Sequence, residues 1–269
     1  MKIQEYIPPP IITLTTDFDD KDAFSAIMKG VILSINPKVT IVDITHRIPP
    51  QDIWQAAFII RNFYLYFPKN TIHVAVVDPG VGSERLSLLI TTKWGFYIGP
   101  DNGIFSLALR ENLPKKIIKI ENKDYMLKEV SSTFHGRDIF APVSAYLSLG
   151  KIPETFGSEI KDFFKLPWTD PIIDSSEIRA KIIHIDTFGN IITNISQQLF
   201  REKIGQGRFQ IIMKRNLKIE KISVSYQEGK IGEPLAIFGS SGFLEISLKN
   251  DNASAKFGIM RGDEIVVYV

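Results

Sequence analysis

The sequence predicts an α/β protein with an N-terminal doubly wound α/β sheet domain and a smaller, all-β, barrel-like C-terminal domain. In the first half, apolar runs of strand length alternate with amphipathic helical stretches, as in a sheet covered by helices on both faces. In the second half, short alternating β segments are separated by turns, which is typical of a small barrel or sandwich. A chain of 269 residues, 44% of them hydrophobic, is long enough for both domains.

Composition excludes several classes of function. The sequence has no cysteine, so disulfides, thiolate metal ligands and cysteine nucleophiles are ruled out. The formal net charge is only +2 and there is no dense Lys/Arg block, so no nucleic-acid partner is expected. No apolar run reaches the roughly eighteen residues that span a membrane. Residues 1–6 lack the apolar core of a signal peptide, so we expect a cytoplasmic location.

The first half opens with a predicted strand over 11–16 and a helix over about 23–33, which Asn36-Pro37 ends. Thr16 or one of the aspartates at 17, 19, 20 and 22 is expected to cap this helix, because their side-chain oxygens accept hydrogen bonds from first-turn amides. The other predicted elements are a strand over 39–44, a helix over about 53–66, strands over 72–77, 87–92 and 94–99, a short helix ending near 109 and a helix over about 139–149.

The strand over 72–77 is distinctive because Asp78 follows it directly. Its continuous apolar character predicts burial on both faces, as in a parallel sheet. Ligands of open α/β sheets bind at the carboxyl ends of the strands. The turn that follows, Pro79-Gly80 with Gly82, allows a close approach of the backbone to a ligand. On spacing alone, an aspartate that caps a turn is an equally simple interpretation.

In the second half, we expect a linker over 166–176 between a first domain over 1–165 and a second domain over 177–269. The predicted strands cover 180–185, 209–213, 221–224, 235–238, 244–248 and 265–269. Polar residues cluster in Asp186-Thr187-Phe188-Gly189-Asn190 and in the loops around Ser240 and Asn252. An aromatic ring beside amides suits a flat heterocycle such as adenine, and carboxylates suit ribose hydroxyls. The same residues are also ordinary turn residues.

Seven short motifs occur in order along the chain. They are Thr15-Thr16-Asp17-Phe18, Met28-Lys29-Gly30-Val31, Asp43-Ile44-Thr45-His46 with Ile48-Pro49-Pro50-Gln51-Asp52, Val77-Asp78-Pro79-Gly80-Val81-Gly82, Gly99-Pro100-Asp101-Asn102-Gly103, Phe134-His135-Gly136-Arg137-Asp138 and Asp186-Thr187-Phe188-Gly189-Asn190. The set resembles the S-adenosylmethionine (SAM) hydroxide adenosyltransferases, adenosine-forming SAM hydrolases related to the bacterial fluorinase and chlorinase. The resemblance extends from about Ile11 to the C-terminus.

The resemblance implies that water or hydroxide attacks the 5′ carbon of the ribose in SAM and expels methionine, leaving adenosine. The catalytic residues of the family would fall on Asp78, Arg85 and His135. A sulfonium leaves as a neutral thioether without a general acid, so the task is to activate water and hold it in line. Asp78 would orient the water or accept its proton, while Arg85 and His135 would stabilise the developing hydroxide. No cofactor or metal is expected, since SAM is the substrate.

The resemblance also implies a set of binding residues. Asp17 would bind the ribose hydroxyls, and Asp186 with Asn190 would bind the amino and carboxylate end of methionine. The other implied contacts are apolar walls from Phe134 and Phe188, an amino-acid contact at Ser240, and backbone contacts to adenine at Asn252 and Ala253. The similar enzymes are homotrimers with the active site between subunits, which would explain polar loops in both domains.

Two positions separate the chain from parts of that group. Halogenating relatives have a tyrosine where this chain has Asp78, and they lack the arginine and histidine partners, so the full triad favours hydrolysis over halide transfer. The family usually has glycine where this chain has Asp19. Because glycine there would supply backbone freedom, Asp19 is expected to reshape the ribose loop or add charge repulsion.

Two alternatives stay open from the sequence. The four aspartates between 17 and 22 resemble the oxygen ligands of a calcium-dependent nucleoside hydrolase. This hypothesis leaves Arg85 and His135 without a role. A sensor that binds SAM or a nucleoside without turnover is the second alternative, although such a protein has no use for a group that activates water. His46 lies beside the same loops and is expected to be structural.

Overall fold

The structure, a computed structural model, describes residues 9–168, 170–214 and 217–269. The N-terminal stretch 1–6 and Thr169 of the expected linker lie outside the described residues. The chain divides into two compact units between Pro167 and Trp168. Among the described residues, no helix combines the length and the apolar character needed to cross a membrane.

The first unit is built around a mixed sheet. Its strands are β1 (Ile11–Thr16), β2 (Thr40–Thr45), β3 (Thr71–Val76), β4 (Ser87–Thr91), β5 (Gly95–Pro100), β6 (Lys116–Ile120) and β7 (Gly157–Ile160). Its helices are α1 (Phe24–Ile35), α2 (Ile53–Phe63), α3 (Ser106–Glu111) and α4 (Ala141–Ser148). The strand order is β2-β1-β3-β5-β4-β6-β7. The strands from β2 to β5 in this order pair in parallel, and the others pair antiparallel.

Helices cover both faces of this sheet, because side chains alternate along each strand. In β3, Val74 and Val76 join the core beneath α1 and α4, whereas Ala75 and the following Val77 join the core beneath α2 and α3. Helices α1 and α4 contact each other, as do α2 and α3. The doubly wound arrangement predicted from the sequence is therefore confirmed.

The carboxyl ends of β1 and β3 lie side by side, since Thr16 pairs with Val76 in the parallel register. The residues that follow the two strands, beginning with Asp17 and Val77, therefore leave the sheet at the same edge. The expected cap of α1 is wrong. The helix begins after Ala23 without a side-chain capping bond. Thr16, Asp17 and Asp20 are bonded instead to His46, the Gln51 amide and Arg47.

The second unit is an antiparallel, barrel-like sheet, as predicted. Its strands are β8 (Ile172–Ile173), β9 (Glu177–Ile185), β10 (Ile191–Ser196), β11 (Gln210–Met213), β12 (Leu217–Ile219), β13 (Pro234–Phe238), β14 (Phe243–Leu248) and β15 (Glu264–Tyr268), with helices α5 (Gln197–Lys203) and α6 (Ala253–Phe257). The order is β12-β11-β15-β9-β10-β14-β13, and β8 pairs with β9. The continuous sheet encloses a core that includes Ile178, Ile195 and Leu244.

One predicted strand of this unit is wrong. Residues 221–224 form only an isolated bridge, from Ile222 to Ala236, and the strand lies earlier, at β12. Val224 is 87% exposed, so the alternation in this stretch does not correspond to a buried face. Strand β10 was not predicted, although it pairs with both β9 and β14.

Candidate active site

A carboxylate and a guanidinium face each other at the edge of the first sheet. Arg85 Nε donates to Asp78 Oδ1 at 3.0 Å, and Arg85 Nη2 donates to Asp78 Oδ2. The Asp78 side chain is 5% exposed and that of Arg85 is 9% exposed. Arg85 Nη1 also donates to Ser87 Oγ at 3.0 Å, and the guanidinium lies 5.6 Å from the ring centre of Phe140. The pair is thus bidentate and largely shielded from solvent.

His135 completes this group from a distant part of the chain. Its Nδ1 lies 2.6 Å from Arg85 Nη2. A guanidinium has no acceptor, so Nδ1 must accept this hydrogen bond and the ring proton must reside on Nε2. Burial lowers the pKa of His135, and the positive charge of Arg85 lowers it further against the opposing effects of Asp78 and Asp138. His135 is therefore a neutral imidazole at pH 7 with an Nε2–H donor.

The turn after Asp78 is held from two sides. Gly82 has φ +79°, and a Cβ at this position would lie 2.4 Å from the carbonyl oxygen of Ser132. Only glycine fits there, so the Asp78 turn and the loop before His135 are in direct backbone contact. Asn102 Nδ2 donates to the carbonyl oxygen of Val77 at 2.8 Å. This bond fixes the peptide immediately before Asp78.

His135 stands directly before a single π-helical turn, Gly136–Phe140. Gly136 is buried, and a Cβ there would lie 3.2 Å from Met28 Sδ and 3.3 Å from the Phe134 ring. Asp138 is fully buried and accepts from the backbone N–H of Ser131 at 2.8 Å and from its neighbour Arg137. π-Helical turns inside helices are frequent at functional sites. Here the turn directs His135 out of the helix toward Arg85.

Asp17 leaves β1 at the same edge and is partly buried. Its Oδ2 accepts from the backbone N–H of Gln51 at 2.9 Å. Burial raises the pKa of Asp17, the Gln51 amide opposes this, and the negative charge of Asp78 adds to the increase. The remaining lone pairs of this carboxylate are available to hydroxyl donors of a ligand.

Asp19 adopts a left-handed backbone conformation, with φ +57°. Such a conformation is unfavourable for most residues and is tolerated best by glycine, asparagine and aspartate. Asp19 thus takes the conformation that glycine would supply. Its side chain accepts from the Asp20 N–H at 2.6 Å, so it turns back on its own loop.

A cavity of about 480 Å³ lies against these residues. Its lining includes Asp17, Phe18, Asp22, Phe24, Gln51, Asp78, Val81, Thr133, Phe134 and His135. Phe134 makes edge-on contacts with Phe18 and Phe24, with ring centres 5.7 and 5.3 Å apart. The cavity therefore has one aromatic wall and one wall of ionisable groups. In size and character it suits a small organic ligand.

The polar loop of the second unit is organised around Asp186. Asp186 Oδ1 accepts from the N–H groups of Phe188 and Asn190, both at 2.9 Å, and Oδ2 accepts from Asn190 Nδ2 at 2.8 Å. Phe188 is 78% exposed at the tip of this turn. An aromatic side chain in such an exposed position is available for contact with a ligand or a partner.

The Asp186 loop packs against the start of α6. Gly189 has φ +84°, and a Cβ there would lie 2.1 Å from the Asn252 side chain. Asn252 caps α6 by accepting from Ala255 N–H at 2.7 Å, and Ala253 is buried. Ser240 is exposed in the turn between β13 and β14. The sequence-predicted residues Asp186, Asn190 and Asn252 are thus brought together.

Two further residues of the second unit were missed by the sequence analysis. Glu245 in β14 is 6% exposed and accepts from Tyr226 Oη and Ser247 Oγ, both at 2.7 Å. Burial raises the pKa of Tyr226, and the charges of Glu245 and Asp186 add to this effect. A glutamate in the middle of an apolar strand was the available signal for a buried acidic site.

The aspartates after β1 do not assemble as metal ligands. Asp17 binds the Gln51 amide, and Asp20 pairs with Arg47 at 2.8 Å. Within residues 9–168, 170–214 and 217–269, no group of three or more His, Asp or Glu side chains has the arrangement of a metal site. The folded loop therefore gives no support to the calcium hypothesis.

Comparisons with known proteins agree over nearly the whole chain. Residues 12–157 match the SAM hydroxide adenosyltransferase N-terminal domain, and residues 180–266 match the corresponding C-terminal domain. The chain is 40% identical over 267 residues to the (R)-S-adenosyl-L-methionine hydrolase of Methanocaldococcus jannaschii, covering 96% of this chain and 95% of the relative. It is 26% identical to a fluorinase of Nocardia brasiliensis, covering 97% of both.

A similar structure has also been solved. The crystal structure of an uncharacterized conserved protein from Thermotoga maritima superimposes with a TM-score of 0.89 at 32% sequence identity. The match covers 95% of this chain and 99% of the Thermotoga chain. The fold described above is therefore found in a solved relative over nearly the whole of both chains.

Proposed function

The chain belongs to the SAM hydroxide adenosyltransferase family, and from this membership we propose that it hydrolyses S-adenosyl-L-methionine to adenosine and L-methionine. The similarity to the hydrolase of Methanocaldococcus jannaschii supports hydrolysis over halide transfer. The observation that carries the proposal is the hydrogen-bonded group of Asp78, Arg85 and His135, of which Asp78 and His135 line the cavity. It provides acceptors and donors for one water molecule beside a site large enough for the substrate.

The reaction is a displacement at the ribose 5′ carbon. A bond forms between the water oxygen and C5′ while the bond from C5′ to sulfur breaks. The electron pair of the broken bond goes to sulfur, so methionine leaves as a neutral thioether and one proton of the water is released. Because the leaving group requires no proton, the protein need only orient the water and accept or disperse that proton.

Asp78 orients the attacking water in this mechanism. Both of its oxygens accept from Arg85, and each retains a second lone pair that can accept from water. The bidentate contact fixes the carboxylate plane and so fixes the direction in which the water is held. Arg85 also supplies positive charge beside the developing hydroxide.

His135 contributes a neutral donor. With Nδ1 occupied by Arg85, its Nε2–H is free to donate to the water oxygen or to the developing hydroxide. A neutral donor stabilises the nucleophile without adding a second positive charge beside the sulfonium of SAM. The lowered pKa of His135 keeps it in this form at pH 7.

The binding residues are assigned by the same proposal. Asp17 takes the ribose hydroxyls, Phe134 forms an apolar wall, and Asp186 with Asn190 takes the methionine end. Phe188, Ser240, Asn252 and Ala253 complete the contacts to methionine and adenine. Glu245, a buried carboxylate, is a further candidate for the amino group. Domains over 1–165 and 177–269, a homotrimer with its active site between subunits, a cytoplasmic location and the absence of a cofactor stay predictions.

The test is to incubate the purified protein, after treatment with a chelator, with SAM in water enriched in ¹⁸O. The proposal expects adenosine and methionine in equal amounts, with the label in the 5′ hydroxyl of adenosine. Label in ribose with release of adenine would indicate attack at C1′, as in a nucleoside hydrolase. Saturable SAM binding without products would indicate a sensor, and either of these results contradicts the proposal.

A further inference from the structure

A buried histidine outside the cavity wall connects three elements to the loop of Asp17. His46 follows β2 and is 6% exposed. Its Nδ1 lies 2.9 Å from Oγ1 of Thr16, the last residue of β1. Its Nε2 lies 3.1 Å from Asp43 Oδ1, an ion-pair distance without hydrogen-bond alignment. Asp43 also accepts from Lys29 Nζ of α1 at 2.5 Å.

The backbone of His46 holds the other end of the same loop. Its carbonyl oxygen accepts from Asp19 N–H at 2.7 Å. The backbone N–H of Phe18 donates to Thr16 Oγ1, the partner of the His46 ring, at 3.3 Å. His46 therefore contacts the chain immediately before and two residues after Asp17. The bonds at Phe18 N–H and Asp19 N–H hold this turn and stabilise the left-handed conformation of Asp19.

We propose that His46 is a positioning residue for Asp17 and thereby sets the recognition of the ribose hydroxyls. The inference rests on the proposed function, because it takes Asp17 as the ribose acceptor. The Gln51 amide fixes one oxygen of Asp17, and the turn held by His46 fixes the direction of the whole carboxylate. A displacement of about 1 Å at such a group can cost about a hundredfold in catalytic efficiency.

The same strand contains a matched control. Thr13 Oγ1 of β1 lies 2.9 Å from Nδ1 of His73 in β3, the same pair of atoms at the same distance. His73 is 3% exposed and lies among the rings of Phe63, Phe67 and Tyr97, away from the cavity. Loss of the His73 pair should affect the core alone. Variants at His46 and His73 thus separate positioning from the general effect of losing a buried Thr–His bond.

The experiment measures binding of adenosine and 2′-deoxyadenosine by calorimetry, together with SAM hydrolysis, for four proteins. These are the wild type, His46→Gln, His46→Asn and His73→Gln. Glutamine places its amide near the Nε2 position and abandons Thr16, whereas asparagine places its amide near Nδ1 and retains that partner. Binding is measured directly, so the result does not depend on turnover.

We expect His46→Gln to weaken adenosine binding about tenfold, as when one charge-assisted hydrogen bond is lost. Its preference for adenosine over 2′-deoxyadenosine should disappear. In hydrolysis, KM should rise while kcat stays within about twofold. His46→Asn should restore most of the preference. His73→Gln, which loses the Thr13 partner, should lower the melting temperature and leave the preference unchanged.

An unchanged ribose preference in His46→Gln would overturn the inference, as would an equal loss in His73→Gln. A wild type that binds adenosine without preferring it to 2′-deoxyadenosine would also overturn it, by removing Asp17 from the ribose. A wild type that shows the preference but does not hydrolyse SAM would contradict the proposed function instead. In that case the His46 comparison still decides the role of His46.

Discussion

The polar residues of the two units are bonded in different ways. In the first unit, the Arg85 side chain bonds both Asp78 and His135, which lie 57 positions apart in the sequence. In the second unit, Asp186 accepts from the amides of its own loop, at Phe188 and Asn190. Side chains that hold one another in a shielded site create a distinctive electrostatic environment. Side chains that hold a turn create a rigid surface for recognition.

This contrast predicts that substitutions in the first unit affect kcat and that substitutions in the second affect KM. An interaction made only in the transition state lowers kcat when it is lost, whereas one made equally with the bound substrate raises KM. Four substitutions or conditions test this contrast, and they are taken in decreasing order of expected effect.

Asp78→Asn is expected to lower kcat about a thousandfold, within the usual range for loss of a positioned general base. Asparagine keeps the shape of the side chain but removes the charge that pairs with Arg85 and can accept a proton from water. Steady-state kinetics and SAM calorimetry give kcat and Kd separately. Asp162→Asn, at an exposed carboxylate paired with Lys165, is the control. A kcat within tenfold of wild type would remove Asp78 from the chemistry.

Arg85→Lys is expected to lower kcat about a hundredfold, as for the loss of a preorganised donor. An ammonium keeps the charge, but it cannot reach both Asp78 oxygens, Ser87 Oγ and His135 Nδ1 together, as the planar guanidinium does. Single-turnover measurements would isolate the chemical step. If Arg85→Lys retains wild-type single-turnover rates, charge alone matters and the forked geometry does not.

His135 should produce an acidic limb in the pH profile of kcat/KM. Burial and Arg85 place its pKa below the ordinary value of 6.5, so the neutral form is stabilised in the fold. The contribution of neutral His135 to the free energy of unfolding is fully present above the pKa of the unfolded state. This contribution is lost as the pH falls through the pKa of the folded state. Protonation of Nδ1 also removes the acceptor for Arg85, so activity should fall about tenfold per pH unit below the folded pKa.

The check is to compare this profile with that of His135→Gln, which retains a donor near the Nε2 position but does not titrate. For His135→Gln we expect kcat/KM to be lower than in the wild type at every pH and to show no decrease on the acidic side. An acidic limb that persists unchanged in His135→Gln would assign the titration to another group, and Asp17, whose pKa is raised by burial, is the first to examine.

Asp186→Asn should have the smallest effect and the opposite kinetic signature. We expect KM for SAM to rise about tenfold with kcat within about twofold, because a charge-assisted contact to the bound substrate is lost. Asp174 is a matched control in the same unit, since it also accepts from the amides of its own turn, at Ser176 and Glu177. A large loss of kcat in Asp186→Asn would contradict the prediction that substitutions in the second unit affect KM alone.

Much of the fold followed from local sequence patterns. The apolar run before Asp78 predicted a strand buried on both faces, and β3 is buried over its whole length. The strand prediction failed at residues 221–224, where alternating apolar residues do not form a buried face. It also failed for β10, where Thr193 and Asn194 interrupt the apolar run although both are buried between neighbouring strands. Polar residues that pair inside a sheet resemble loop residues when only the sequence is known.

The functional roles of the site residues stay predictions. The order of motifs indicated Asp78, Arg85 and His135 through a family resemblance, and the comparisons confirm the family. Sequence reasoning did not find the Gln51 amide on Asp17, the π-helical turn after His135 or the buried Glu245. The Gln51 amide and the π-helical turn have no local pattern of their own, because a backbone amide and a change of helical register acquire meaning only from their neighbours. For Glu245, the one available signal was a glutamate within an apolar strand.

Local sequence patterns were enough to predict an α/β half and a β half, the strand ends from which the polar loops emerge, and the family to which the chain belongs. These features depend on periodicity and on short motifs, which are properties of neighbouring residues. The bond from Arg85 to Nδ1 of His135 and the bonds of His46 to Thr16 and Asp19 could be seen only in the folded chain. They join residues far apart in sequence, so no local pattern predicts them.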